Sequence, residues 1–401
     1  MSSDKSRPPW LVITPFIPRP DQASGDRRLV AMLQILQPLC TLQLVALHAR
    51  DGDDETYASR LATIGVDFLG VGRSAAARAL LQRSYKGVLF EFHHVTPGLL
   101  PLARRVQPQA LIIVDSVDVH YLREREASRL GKLDAAIPEQ TRVHELIAYR
   151  RADVTVVVSS IESTLLVDDG VHNTVVVPNI VPLIPRTVRK RAPIALFIGS
   201  FDHAPNRDAV HWFHDAVWPS VRRRVPDAEW IIAGSRVPPD VLALHGRDGV
   251  NVVGFVPSTR ELLDRVQVSV APLTFGGGMK GKVSEALAAG VPVVTTRWGA
   301  QGLEEGAGRA FLQADDPEEF ASAVVTLLLD EEQRTRIGDE GRVLARRLCS
   351  AEAAAPVLAQ LVHRSDTPRP ALSSTQRLLA FASFAAGRGV DRIRGRGRTA
   401  Q

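Results

Sequence analysis

Lysine is scarce in this chain: of 49 basic residues, six are lysine and the rest arginine. Cysteine is scarcer still. The two present, Cys40 and Cys349, lie far apart and show no paired Cys/His spacing, which excludes a disulfide framework and a structural zinc site and suits a reducing compartment. No apolar run approaches the roughly 20 residues a helix needs to cross a bilayer, and residues 1–9 are polar, so neither a membrane span nor a secretory leader is expected. What is there is a 401-residue chain with 45% hydrophobic content, enough for two soluble domains of roughly 150 to 200 residues each. The expected location is the cytoplasm.

The formal charge of +5 is unevenly spread. Residues 364–398 hold eight arginines against two aspartates, so the body is near neutral. In this tail Leu378, Phe381, Ala382 and Ala385 have helical spacing and are followed by Arg388, Arg392, Arg394, Arg396 and Arg398. The pattern reads either as a solvated tail or as a basic amphipathic segment for an anionic membrane surface, which would make the protein peripheral to the membrane's inner face. Nucleic acid, the other partner that repeated Gly-Arg can serve, is not expected.

Short β-rich apolar runs alternate with longer helical patterns, the signature of parallel α/β architecture. Strands are expected at 10–16, 42–48, 66–71, 87–92, 110–115, 154–159 and 174–177. Pro178, Pro182, Pro185 and the basic run 186–191 then read as a linker. A second alternation places strands at 194–199, 229–233, 250–255, 267–272, 291–295 and 309–312, and helical patterns fill 317–362. The expected organisation is two doubly wound Rossmann-like domains, 1–185 and 186–345, a helix over 346–365 packing back on the first domain, and a basic tail from 366. In such sheets ligands bind beyond the carboxyl ends of the strands, so two domains place the site in the cleft between them.

Two of the six lysines fall in one loop, Gly276-Gly277-Gly278-Met279-Lys280-Gly281-Lys282, between a predicted strand and a predicted helix. Glycines let backbone N–H groups approach an anion closely, an ammonium is a compact point charge, and the following helix directs the positive end of its dipole at the same place. The loop therefore reads as a phosphate or diphosphate site. It matches the nucleoside-triphosphatase P-loop until Val283, where that motif requires the Ser or Thr hydroxyl that holds magnesium. A surface turn with incidental lysines is the plain alternative. Asp51-Gly52-Asp53 has the look of a metal-binding pair in a hydrophilic loop, but no metal is expected.

The stretch from Phe275 through Glu285 to Val294 resembles the donor-binding segment of the family-4 retaining glycosyltransferases. So do Leu196 to Ala209, Gly254-Phe255-Val256, and Asp115-Ser116-Val117-Asp118-Val119-His120-Tyr121-Leu122-Arg123-Glu124, the last typical of one branch. The resemblance spans about residues 10 to 350 and implies the GT-B fold, two Rossmann-like domains facing across a cleft. It further implies transfer of a sugar from a nucleotide diphosphate, UDP- or GDP-linked, to a glycan or lipid-linked acceptor with retention, without cofactor or metal.

The resemblance also implies roles for particular residues. Glu285 takes the second place of the family's Glu-x7-Glu pattern and would hold the ribose hydroxyls. The first place, which grips the donor sugar, falls on Gly277. The Arg and Lys that usually clasp the diphosphate are missing, with Ser200 and Pro205 near where they would stand, so Lys280 and Lys282 are expected to replace them. The implied donor set is Gly25, Arg28, Gly199, Ser200, Asn206, Val256, Gly278, Met279, Lys280, Gly281, Lys282, Val283 and Glu285. His93 and His94 stand where the family places a histidine beside the reacting sugar, in a register open by one or two residues. Asp118, His120 and Arg123 fall on the acceptor side, Asp118 being equally readable as a helix cap. The candidate catalytic groups are His93, His94, His120, Lys280 and Lys282. A sugar-nucleotide epimerase of the same fold, or an inactive module that binds a nucleotide or partner, are the alternatives.

Overall fold

A computed structural model describes residues 7–50, 52–183 and 193–367. The linker at 184–192 and the basic tail from 368 onward lie outside the described residues, as does Asp51. Among the described residues, thirteen strands form two sheets. The first contains β1 (Pro9–Thr14), β2 (Thr41–Ala46), β3 (Val66–Val71), β4 (Gly87–Glu91), β5 (Leu111–Asp115), β6 (Val154–Val157) and β7 (Thr174–Val176), in the order β3-β2-β1-β4-β5-β6-β7. The second contains β8 (Ile194–Ile198), β9 (Glu229–Ala233), β10 (Val250–Gly254), β11 (Val268–Ala271), β12 (Val293–Thr295) and β13 (Leu312–Gln313), in the order β10-β9-β8-β11-β12-β13.

All named strand pairs are parallel. Parallel strands need helical crossovers, and helices on both faces explain why strands such as Leu111–Asp115 and Val268–Ala271 are buried at every residue. The strand order reverses between β1 and β4 and again between β8 and β11, creating one crevice per sheet. The α/β, doubly wound reading therefore holds for both halves. Observed strands end one or two residues before most of the expected ends.

Three helices follow, Pro317–Leu329, Glu331–Cys349 and Ala351–Asp366. Asp330 and Ser350 each cap a helix start, through Gln333 N–H and Ala353 N–H, so the chain breaks there rather than near 346. The last helix crosses to the first sheet: Ala354, Leu358, Leu361 and Val362 join a core with Trp10, Leu29 and Leu33. Trp10 Nε1 donates to Ser365 Oγ at 3.1 Å. Among the described residues, no helix is long and apolar enough to cross a membrane.

Arg28 corrects an expectation. Helix Ser24–Leu36 buries Leu29, Met32, Leu33 and Leu36, and Arg28 lies four residues before Met32 on that same face, 1% exposed. Its guanidinium pairs with Asp115 at 2.6 Å and donates to the Val177 carbonyl at 2.8 Å, tying β5 to the chain that leaves β7. It does not reach the cleft. Arg28→Met leaves Asp115 buried without its cation and should lower stability by about 3 kcal/mol. Urea denaturation checks this; unchanged stability together with lost ligand binding would return Arg28 to the site.

Candidate active site between the two sheets

A cavity of about 530 Å³ lies where the two crevices face each other. Pro15 and Phe16 beyond β1, Phe92 and His94 beyond β4, Gly199 and Ser200 beyond β8, and the glycine-rich loop beyond β11 all line it. Its rim in the first domain is strained. Phe92 has φ 70° and Val117 φ 60°, a region that a β-branched residue enters only when its surroundings hold it there. Gly25 makes room, since a Cβ at that position would meet Val117 Cγ1 at 3.2 Å.

The loop carries its two lysines inward. Helix Gly281–Ala288 begins at Gly281, and any side chain there would strike Ser24 of the first domain. Lys280 Nζ donates to the Gly277 and Gly278 carbonyls, each at 2.6 Å, and to Gln301 Oε1 at 3.0 Å. Lys282 Nζ donates to Asn206 Oδ1 and lies 4.2 Å from the centre of the Phe197 ring. It reaches the end of β8, where a Cβ on Gly199 would come within 3.0 Å of Nζ. Asn206 is itself held by donating to the Ser200 carbonyl at 2.7 Å, and Ser200 Oγ accepts from Ser235 at 3.0 Å. Burial, with Lys280's charge beside it, pulls Lys282 down to about 7. Burial also lowers Lys280 to about 8, although Asp118 and Glu162 oppose it. Such a pair is poised to receive an anion.

One turn into the helix, Glu285 Oε1 pairs with Arg27 Nη1 and Oε2 accepts from Thr259 at 3.1 Å. Arg27, rather than Arg28, is thus the first-helix arginine on the cavity wall. Asn179 Nδ2 donates to the Met279 carbonyl at 3.0 Å, fixing the loop from the first domain.

Opposite the loop stand Asp118, His120, Arg123 and His94. Asp118 bonds His120 Nε2 at 3.1 Å and Arg123 Nη1 at 2.5 Å. Burial opposes ionisation of Asp118, but His120 and Arg123 outweigh it and hold its carboxyl well below the usual range. The same contact raises His120 despite burial. His94, stacked on Phe92 at 5.1 Å and open to the cavity, has its imidazole lowered by desolvation and by its histidine neighbours, which favours the neutral form. His203 also lines the cavity.

The structure separates the expected residues. Gly25, Gly199, Ser200, Asn206, Val256, Met279, Lys280, Gly281, Lys282 and Glu285 line the cavity, as do His94, Asp118, His120 and Arg123. Val283 does not: it is fully buried in the second domain's core, on the inner face of its helix. Gly278 lines an adjoining groove with Glu162 and Gln301. His93 turns toward Glu145, its Nδ1 3.3 Å away, and His94 is the one of the two that lines the cavity. His93, His120 and Glu145 have ligand atoms within 4.8 Å of one another, a grouping that could hold a metal. Glu145, however, already accepts from His120 N–H, Tyr121 N–H and Tyr149 OH at 3.0, 2.9 and 2.8 Å, so its oxygens are committed to starting helix His120–Arg129. The sequence assigned no role to Asn179, His203 and Thr259, and of the pair Arg27-Arg28 beyond the first strand it favoured Arg28. For Arg27 a signal existed, because helical period puts position 28 with Met32 and Leu36 and leaves 27 outside.

Comparison with known proteins bears on the fold. Residues 192–330 match a family model described as glycosyl transferases group 1. No curated protein matches the sequence. Among solved structures, the HepE protein of Anabaena in complex with UDP and glucose superposes with a TM-score of 0.67 at 12% identity, over 88% of this chain and 99% of that one. Sucrose-phosphate synthase of Thermosynechococcus elongatus gives 0.67 at 16% identity, over 89% and 99%. TarM of S. aureus gives 0.59 at 13% over 72% of this chain, which spans 58% of TarM's length.

The lysine pair generates a prediction. An anion raises the pKa of an adjacent ammonium, so binding of inorganic diphosphate should take up a proton, with affinity full below about pH 7 and lost as pH rises toward about 9. Calorimetric titration in buffers of different ionisation enthalpy measures the uptake, and Lys282→Arg should flatten the pH dependence. The chain thus has the GT-B fold, and its second domain matches glycosyl transferases group 1 over residues 192–330.

Proposed function

We propose that this protein is a glycosyltransferase that moves a sugar from a nucleotide diphosphate to a hydroxyl acceptor with retention of configuration. The observation that carries the reading is one short segment holding two half-buried ammonium groups at a helix N-terminus and a cavity-facing carboxylate one turn later. The first part suits a diphosphate. The second suits the ribose, because Glu285 offers acceptors to two neighbouring hydroxyls. A solved relative by fold, HepE, is described with UDP-glucose, which supports a donor of this class.

Breaking the anomeric C–O bond leaves new negative charge on the departing diphosphate. Lys280, Lys282 and the N–H groups of Gly281 and Lys282 stand where that charge develops and need no rearrangement to meet it. Lys282 takes the ground beyond β8 where family members carry their own cations, which supports its role as a replacement for them. These fixed cations supply what a divalent ion would otherwise supply, so we assign a metal-independent reaction. The leaving diphosphate, with His94 and His120 across the cavity, would handle the acceptor's proton. A glycan or lipid-linked acceptor would enter from the first-domain side, and the arginine-rich tail suits work at an anionic membrane surface.

Ligand-observed NMR against UDP, GDP, ADP and their sugar conjugates identifies the donor. One nucleotide family should bind, and Lys280→Glu with Lys282→Glu should abolish that binding while the fold persists by circular dichroism. Unchanged affinity in the charge-reversed protein would refute the assignment. Binding without transfer or slow hydrolysis would identify an inactive nucleotide-binding module instead, and conversion of the sugar nucleotide with no acceptor would identify an epimerase.

A further inference from the structure

The first domain sits directly on the glycine-rich loop. A Cβ on Gly277 would stand 2.9 Å from Arg123 Cβ, and one on Gly278 would stand 2.8 Å from Asp118 Cβ. No larger residue fits at either position while helix His120–Arg129 keeps its place. The carbonyls of the same two glycines hold Lys280 Nζ. At the loop's other end, Gly281 abuts Glu285, with a Cβ at 281 falling 3.8 Å from Oε1. The wall therefore runs Glu285, Lys282, Lys280, Asp118: carboxylate, two cations, carboxylate. A nucleoside diphosphate accounts for the first three. The fourth faces what lies beyond the phosphates.

Asp118 is not needed for the helix it precedes. The N–H groups of His120 and Tyr121 are taken by Glu145, and that of Val119 donates to Glu162 at 3.3 Å. The carboxylate instead lines the cavity, gripped on one oxygen by His120 and on the other by Arg123. An ionised carboxylate has about four acceptor positions, so two remain. The other carboxylates on this wall are engaged elsewhere: Glu285 with Arg27 and Thr259, Asp26 with Arg19 N–H and Arg50, Asp21 with Tyr57.

We propose that Asp118 recognises the sugar of the donor by accepting hydrogen bonds from its hydroxyls, and that Arg123 and His120 are positioning residues that aim its carboxylate. The recognition of the transferred group is thereby placed on the first domain, not on the loop at Gly277. This rests on the nucleotide-sugar reading above. It makes the donor a neutral, hydroxyl-bearing sugar, because a carboxylate disfavours an acidic one.

The test compares each nucleoside diphosphate with its conjugate on the full chain, using UDP and UDP-glucose, GDP and GDP-mannose, and ADP and ADP-glucose. For the pair the wild type binds, Asp118→Asn should leave the diphosphate's affinity within about twofold and weaken the conjugate about tenfold or more. Asp118→Glu, which keeps the charge but displaces it, serves as the second variant should the amide impair folding, with the same selective loss expected. Equal weakening of both ligands, or of neither, overturns the proposal while leaving the nucleotide reading intact. Failure of the wild type to bind any diphosphate overturns the nucleotide reading, and this proposal with it.

Discussion

Two half-buried ammonium groups stand at the junction of the two domains without a carboxylate in direct contact. Among the described residues, neither Lys280 nor Lys282 has a carboxylate within ion-pair distance; carbonyls and Gln301 hold the first, an amide oxygen and an aromatic ring the second. Taking an unpaired cation out of water is unfavourable by several kcal/mol. Desolvation lowers the pKa of both groups, which lessens that cost. On the reading proposed here, an anion in the cavity would restore the charge and compensate it.

The rest of the architecture serves that arrangement. Strand reversal opens a crevice in each sheet, and the facing of the two crevices sets the loop of the second domain against Ser24, Asp118, Arg123 and Asn179 of the first. Glycine at 277, 278 and 281 is required because backbone, not side chain, forms the contact surface. The last helix strengthens the junction, since it leaves the second domain near Cys349, whose carbonyl accepts from Val181 N–H at 2.8 Å, and ends in the core around Trp10.

Much of this was legible in the chain itself. Parallel strands buried on both faces give short apolar runs that periodicity finds easily, so all thirteen appear within a few residues of their expected places. The lysine loop stood out because its cations are rare elsewhere and because Val283 broke the triphosphatase pattern. Val283 itself was misassigned: proximity in sequence put it in the site, whereas the helical turn rotates it into the core. Arg28 and His93 failed similarly. Each neighbours a residue that does face the cavity, and a one-residue shift in a helix or tight turn reverses direction. What no single-sequence pattern could give is the meeting of Arg123 with Gly277, which links positions on different domains and depends on how those domains dock.

The protonation state of Lys282 is the most direct measure of whether this loop is an anion site. With six lysines in the chain, the 13Cε and Nζ resonances are few enough to assign by substitution, and each can be followed against pH with and without nucleoside diphosphate. The account predicts a Lys282 midpoint near 7 in the free protein that moves up toward the ordinary lysine range when the nucleotide binds. An ordinary lysine midpoint in the free protein, or one that the nucleotide does not move, would contradict it.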